Sequence, residues 1–334
     1  MKTPRIYLGT MTFGWSQTSS KVDVDVASQM LQKFQGHHID TARIYAGGKT
    51  ETILGQILDV GRSIGTKAHP SQPGGLSPQG IQDQLDASLS AMKLTKVDEY
   101  YLHQPDPDHS LEQSLEKLQD LLKQGQIQKI GLSNYHASEV ARAFDLCAKN
   151  DWVAPSVYQG LYNPLNRAVE DELIPLLHQH GCSFVAYNPL AAGLLAGKHL
   201  SQTDVLPGRF RKNPNYLPRF YTDANFRAVQ VIREACAKEG LTMIEATYRW
   251  LLCHSALTAK DGLLLGASSL AQLDENMAAC GTGEPLPAAV VQAMDEAWAI
   301  TKEQGVFPYW RSYSSDMPNR ETLDQGASYE ATKK

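Results

Sequence analysis

The chain alternates between two hydrophobic patterns. Short apolar, strand-like runs occupy residues 6–9, 37–40, 63–67, 97–103, 127–131, 156–159, 183–187 and 263–266. Between them, apolar residues recur at helical spacing. Ile81, Leu85, Leu89 and Met92 form one such set, and Leu111, Leu115, Leu118 and Leu122 another. Each set makes a single stripe along one helix face. The helix starts are marked as well. Ser77-Pro78 reads as an N-cap with proline in the first helical position. Ser110-Leu111-Glu112-Gln113 and Thr242-Met243-Ile244-Glu245 read as capping boxes.

From residue 6 to residue 183, successive strand starts lie about 30 residues apart, the length of one βα unit. Strands alternating with helices imply a parallel sheet, and eight units close into a (β/α)8 TIM barrel. An open doubly wound sheet usually carries a glycine-rich fingerprint after its first strand. Here that position reads Gly9-Thr10-Met11-Thr12-Phe13-Gly14, which does not match. The interval from 183 to 263 is too long for one unit. Residues 188–222 hold several Pro, Gly and Arg without periodicity, so a long loop insertion is expected before the last strand, followed by a helical stretch at 224–253. A further helix is expected at 287–304. The expected organisation is one α/β barrel domain over 1–311, including that C-terminal helix, and a loosely held polar tail over 312–334.

Composition narrows the functional classes. The 334 residues carry 31 Lys+Arg against 36 Asp+Glu, a net charge of −5, which disfavours nucleic acid as a partner. The five cysteines are odd in number and form no CxxC. That argues against a disulfide framework and a zinc site, and fits a reducing compartment. No apolar run reaches the ~18 residues of a membrane span, and no signal-peptide core follows Met1. A cytoplasmic location away from membranes is the expectation.

In such barrels the chemistry lies at the C-terminal ends of the strands. Those ends carry Asp40 with Tyr45 just beyond, Lys67, His103, Ser133-Asn134, Gln159 and Tyr187-Asn188. Taken singly, Asp40 and Lys67 read as a structural ion pair, Tyr45 as a packing tyrosine and His103 as a satisfied histidine. Taken together at successive strand ends they form a coherent set. A lysine ammonium beside a tyrosine favours the phenolate and eases proton release. An aspartate would hold the ammonium, and a histidine could donate to the same substrate oxygen. A lysine inside a barrel could instead form a Schiff base, so a lyase using Lys67 remains a rival.

The sequence resembles the aldo-keto reductases, and closely the aflatoxin-aldehyde and succinic-semialdehyde reductase branch. The resemblance runs in order through Ile39-Asp40-Thr41-Ala42 with Tyr45, Thr66-Lys67-Ala68, Tyr101-Leu102-His103 and Gly131-Leu132-Ser133-Asn134-Tyr135. It continues through Val157-Tyr158-Gln159-Gly160, Ala186-Tyr187-Asn188-Pro189-Leu190, Gly193-Leu194-Leu195, Gly208-Arg209-Phe210 and Gly266-Ala267-Ser268-Ser269. It implies reduction of aldehydes and some ketones with NADPH and no metal, with Asp40, Tyr45, Lys67 and His103 as the catalytic four. A non-catalytic NADPH-binding redox sensor is a second rival within the wider superfamily.

The resemblance also implies a cofactor site. Ser133, Asn134 and Gln159 would bond the nicotinamide carboxamide, and Tyr187 would stack on its ring. The loop from Asn188, Pro189 and Leu190 through Ala191, Gly193, Leu194 and Gly197 would cover the pyrophosphate, with Lys198 and Arg209 as cations. Ser268, Ser269, Gln272 and Asn276, at a helix start, would hold the adenosine 2′-phosphate, or Ser269 and Gln272 simply cap the helix; many family members place an arginine near Gln272. Met11 and Trp15 would line the mouth, and Arg219 and Arg311 would contact a substrate carboxylate, with Trp310 and Phe220 as an apolar wall. Acidic aldehydes such as succinic semialdehyde, dialdehydes and aromatic aldehydes are the implied substrates. A small-molecule aldehyde is the expected partner, and a homodimer is left open.

Overall fold

The computed structural model describes residues 3–18, 20–59, 61–199, 205, 210, 213, 216–324, 326 and 327. Eight strands run β1 Arg5–Gly9, β2 His38–Asp40, β3 Ser63–Ala68, β4 Val97–Leu102, β5 Ile127–Ser133, β6 Val157–Leu161, β7 Ser183–Tyr187 and β8 Gly262–Gly266. Each pairs in parallel with the next, and β8 returns to β1 through Ile6 opposite Leu263 and Leu8 opposite Leu265, closing the barrel. The helices are α1 Val24–Lys33, α2 Lys49–Ile57, α3 Pro78–Met92, α4 Leu111–Lys123, α5 Ala137–Lys149, α6 Leu173–Gln179, α7 Leu217–Phe220, α8 Asp223–Lys238, α9 Met243–Cys253, α10 Leu270–Gly281 and α11 Ala288–Glu303. The (β/α)8 expectation and all eight strand positions hold.

Local chemistry explains the helix limits. Ser77 Oγ accepts the Gly80 N–H at 3.0 Å, Pro78 fills the first position, and α3 ends where Lys93 turns left-handed. The α3 stripe of Ile81, Leu85, Leu89 and Met92 is buried. Each such leucine contributes about 1.5–3 kcal/mol by leaving water. On α4 the innermost positions are Leu111, Leu115, Leu118 and Leu121, with Leu122 half-buried beside them.

Inside the barrel, Tyr7, Tyr101, Val157 and Val185 pack with Leu264. Below them Glu99, only 2% exposed, accepts hydrogen bonds from Tyr101 (2.6 Å) and Tyr7 (3.2 Å) and pairs with Lys129 at 3.3 Å.

Three regions differ from the sequence expectation. The insertion is not structureless: a 3-10 turn spans Ala191–Ala196, and α7 lies at Leu217–Phe220. The stretch at 224–253 is two helices, because Gly240 adopts φ +66° and Thr242 caps α9 by accepting the Glu245 N–H at 3.1 Å. The tail is docked, not loosely held, over 312–324. Ser314 N–H donates to Glu139 Oε1 at 2.9 Å, and Asp316 accepts from Leu111 N–H at 2.8 Å and Ser110 Oγ at 2.7 Å while pairing with Arg142. A polar segment lacks apolar area to bury, but an aspartate is stabilised at the positive start of a helix.

Candidate active site

Strands β2, β3 and β4 deliver Asp40, Lys67 and His103 to the open end of the barrel, and the turn after β2 brings Tyr45 across them. Lys67 Nζ donates to Asp40 Oδ2 at 2.6 Å and to the Thr41 carbonyl at 2.7 Å. Asp40 Oδ2 also accepts from Gln159 Nε2 at 2.8 Å. Neither charge reaches solvent: Lys67 is 0% and Asp40 2% exposed. Burial pushes the Asp40 carboxyl up and the Lys67 ammonium down from their ordinary values, and the contact between them opposes both shifts. The Lys67 ammonium lies 5.7 Å from the Tyr45 ring centre.

The His103 ring meets Tyr45 edge-on at 5.9 Å and His69 at 5.0 Å. Burial holds His103 well below the ordinary histidine range, reinforced by His69, Lys67 and Arg311. Burial and Arg311 likewise push His69 down to about 4. Both imidazoles are therefore neutral at physiological pH.

Above this group opens a cavity of about 440 Å³, within the range of small-molecule sites. Its wall includes Asp40, Tyr45 and His103, then Ser133, Asn134, Gln159 and Tyr187, then Asn188, Pro189, Leu190, Gly193 and Lys198. Ser268, Gln272 and Asn276 also line it, as do Met11, Arg219 and Arg311. Two asparagines turn the chain at the strand ends, Asn134 with φ +62° and Asn188 with φ +52°, a conformation asparagine tolerates better than most residues. Tyr187 O–H donates to Asn134 Oδ1 at 2.7 Å, and Asn134 Nδ2 donates to the His103 carbonyl at 2.8 Å.

The structure does not bring every expected residue to this wall. Lys67 lies beneath it. Ala191 and Leu194 are buried, and Gly197 ends the 3-10 turn with φ +79°. Ser269 points its hydroxyl back to the Gln272 N–H at 3.2 Å as the cap of α10. Arg209 lies outside the described residues. Trp15, Trp310 and Phe220 do not line the cavity; Phe210 and Tyr216 do. Phe220 lines a neighbouring cavity of about 300 Å³ that shares Arg219.

Sequence reasoning passed over His69, Gln104, Ile244 and Tyr248, all on the wall. His69 was findable as the second residue beyond Lys67 at the same strand end. Ile244 and Tyr248 have the i, i+4 spacing of an ordinary core stripe, so only the fold reveals them.

The Aldo/keto reductase family model matches residues 5–299. The chain belongs to the aldo/keto reductase family. This aldo/keto reductase is 39% identical over 322 residues to aflatoxin B1 aldehyde reductase member 2 of Mus musculus, covering 90% of this chain and 86% of that protein. It is 38% identical over 322 residues to human aldo-keto reductase family 7 member A3, covering 90% and 96%. It is 33% identical over 316 residues to oxidoreductase sirO of Leptosphaeria maculans, covering 90% and 95%. Among the described residues, no helix is long and apolar enough to cross a membrane.

Proposed function

We propose that this protein reduces aldehydes to alcohols with NADPH, using Tyr45 as the proton donor. The observation that carries the reading is the convergence of Tyr45, His103 and the buried Lys67–Asp40 pair on one cavity. NADPH, when bound, supplies the hydride to the carbonyl carbon. Tyr45 gives its hydroxyl proton to the carbonyl oxygen. The Lys67 ammonium favours the phenolate left behind, and Asp40 with the Thr41 carbonyl fixes that ammonium in place. Neutral His103 is suited to donate a hydrogen bond to the same oxygen and so orient it.

The residues present fit a nicotinamide dinucleotide. Ser133, Asn134 and Gln159 supply amide and hydroxyl groups beside the catalytic group, matching a carboxamide. Backbone with positive φ at Ala192 and Gly193 brings main chain close along the wall. At the far end the start of α10 supplies N–H groups where a phosphate is stabilised.

Arg219 and Arg311 on the substrate side favour aldehydes that carry a carboxylate, since a guanidinium fork fits one bidentately; the two relatives named for aldehyde or aldo-keto reduction agree with the reaction class. The Schiff-base alternative is disfavoured because Lys67 is fully buried and engaged by two acceptors. The deciding experiment is NADPH oxidation with a panel of acidic, aromatic and simple aldehydes. Absence of turnover across the panel, with NADPH bound, would select the sensor reading.

A further inference from the structure

Lys67 of β3 stands opposite Tyr101 of β4, and Tyr101 opposite Gly131 of β5. One layer towards the N-terminal end of the barrel, Glu99 stands between Gly65 and Lys129. Barrel interiors fill in such layers. A Cβ on Gly131 would come within 2.3 Å of the Tyr101 ring, so the glycine leaves the space this ring occupies. Lys67 Nζ lies 5.2 Å from the centre of the ring, within cation–π range. Tyr101 is fully buried, and its hydroxyl donates to Glu99 Oε2 at 2.6 Å. A phenol that donates to a carboxylate gains electron density in its ring, as linked hydrogen bonds polarise one another. The ring that meets the ammonium is therefore backed by a buried negative charge.

We propose that Glu99 and Tyr101 are positioning residues of the catalytic site, the Tyr101 ring and the carboxylate behind it holding the Lys67 ammonium from the N-terminal side of the barrel. The proposal rests on the reading of Lys67 as the partner of Tyr45 given above. A charged Lys67 is what favours the Tyr45 phenolate, so groups that keep it charged act on the reaction without touching substrate. Burial lowers Lys67 from its ordinary value; Asp40, then Glu99 and Glu51, oppose that shift. Around Glu99 stand Tyr7 of β1 at 3.2 Å and Lys129 of β5 at 3.3 Å, with Arg5 and His38 in the same charged surroundings. The Lys129 side chain is 40% exposed, so water screens it. Between Glu99 and Lys67 lies only the buried ring, and buried pairs are screened much less. The pull of Glu99 on Lys67 therefore outweighs the opposing effect of Lys129.

The test follows the titration of Lys67 in the full-length protein by NMR with ¹³C-labelled lysine, its Cε resonance identified by loss in Lys67→Met. Glu99→Gln keeps the shape and an acceptor for Tyr101 but deletes the charge. Because a carboxylate raises a nearby ammonium, its removal should move the Lys67 titration to lower pH, by roughly 0.4–1.5 units, the worth of one cation–π contact. Tyr101→Phe, which keeps the ring and deletes its link to Glu99, should move it the same way by less. The alkaline limb of kcat for aldehyde reduction should follow in both variants, with KM and NADPH affinity at neutral pH unchanged. An unmoved Lys67 titration in Glu99→Gln overturns the proposal; if that variant does not fold, an unmoved titration in Tyr101→Phe does so. A fall in kcat that is equal at every pH, with the titration unmoved, assigns both residues to packing instead. If the parent reduces no aldehyde while the titration moves as expected, the reductase reading fails and the support of Lys67 stands.

Discussion

The guanidinium of Arg219 lies over the ring of Phe307, 4.2 Å from its centre. Arg311 approaches the same ring at 5.8 Å, so one phenylalanine from the segment after α11 braces both arginines. Cation–π contacts of this kind are worth about 0.5–2 kcal/mol. Phe307→Leu should therefore raise KM for succinic semialdehyde roughly 2- to 30-fold while changing KM for uncharged 4-nitrobenzaldehyde little. Equal increases with both aldehydes would show that Phe307 supports the cavity as a whole.

Removing the arginines themselves should act more strongly on the same contrast. A hydrogen bond to a charged group contributes about 1.5–3 kcal/mol, or roughly 10- to 150-fold. Arg219→Met and Arg311→Met should each raise KM for the acidic aldehyde, with kcat less affected. Steady-state kinetics with both substrates checks this, and a loss shared equally by the uncharged aldehyde counts against a carboxylate clamp.

Tyr45→Phe removes one hydroxyl and almost no volume. Turnover should fall by about 10²–10⁴-fold, the usual contribution of a positioned proton donor, while NADPH affinity is retained. Activity within tenfold of the parent would take Tyr45 out of the role.

Lys67→Met leaves Asp40 buried without its ammonium. Breaking a buried pair on one side costs about 3–5 kcal/mol, so urea unfolding should show a large loss of stability along with the loss of turnover. Adding Asp40→Asn should recover most of the stability and none of the activity. A double variant as unstable as the single one would mean the pair is not the source of the loss.

Glu139 gives the fold a pH dependence. Burial pushes its carboxyl up to about 7, against the hydrogen bonds from Ser314. A carboxyl whose folded value is raised stabilises the protein fully below its unfolded value near 4.5. That contribution is lost as pH rises, up to about pH 7. Across this window the parent should lose stability relative to Glu139→Gln by up to about 1.4 kcal/mol per pH unit. Parallel stability curves for the two proteins between pH 4.5 and 7 would refute the assignment.

Much of this was readable in the sequence, for identifiable reasons. Strand ends in a barrel project to one face, so Asp40, Lys67, His103 and Gln159 could be grouped without coordinates. Ser77, Ser110 and Ser269 announced helix starts because capping is a local interaction. What could not be read depends on partners distant in the chain. Asp316 looked like part of a polar tail until its partners Ser110 and Arg142 were adjacent to it. Trp310 and Phe220 carry the right chemistry for a cavity wall but turn elsewhere, whereas Phe210 and Tyr216 face inward.

The docked segment after α11 has a consequence for how the protein is made. Asp40, Tyr45, Lys67 and His103 are all synthesised within the first third of the chain, whereas Phe307 and Arg311 come near its end. The backbone N–H of Arg311 is tied to the Asn134 carbonyl at 3.0 Å, so the last-made stretch completes a wall begun much earlier. A chain cut short after α11 would hold its reactive groups but lack part of its means of selection. Premature termination should therefore yield an indiscriminate catalyst before it yields an inert one.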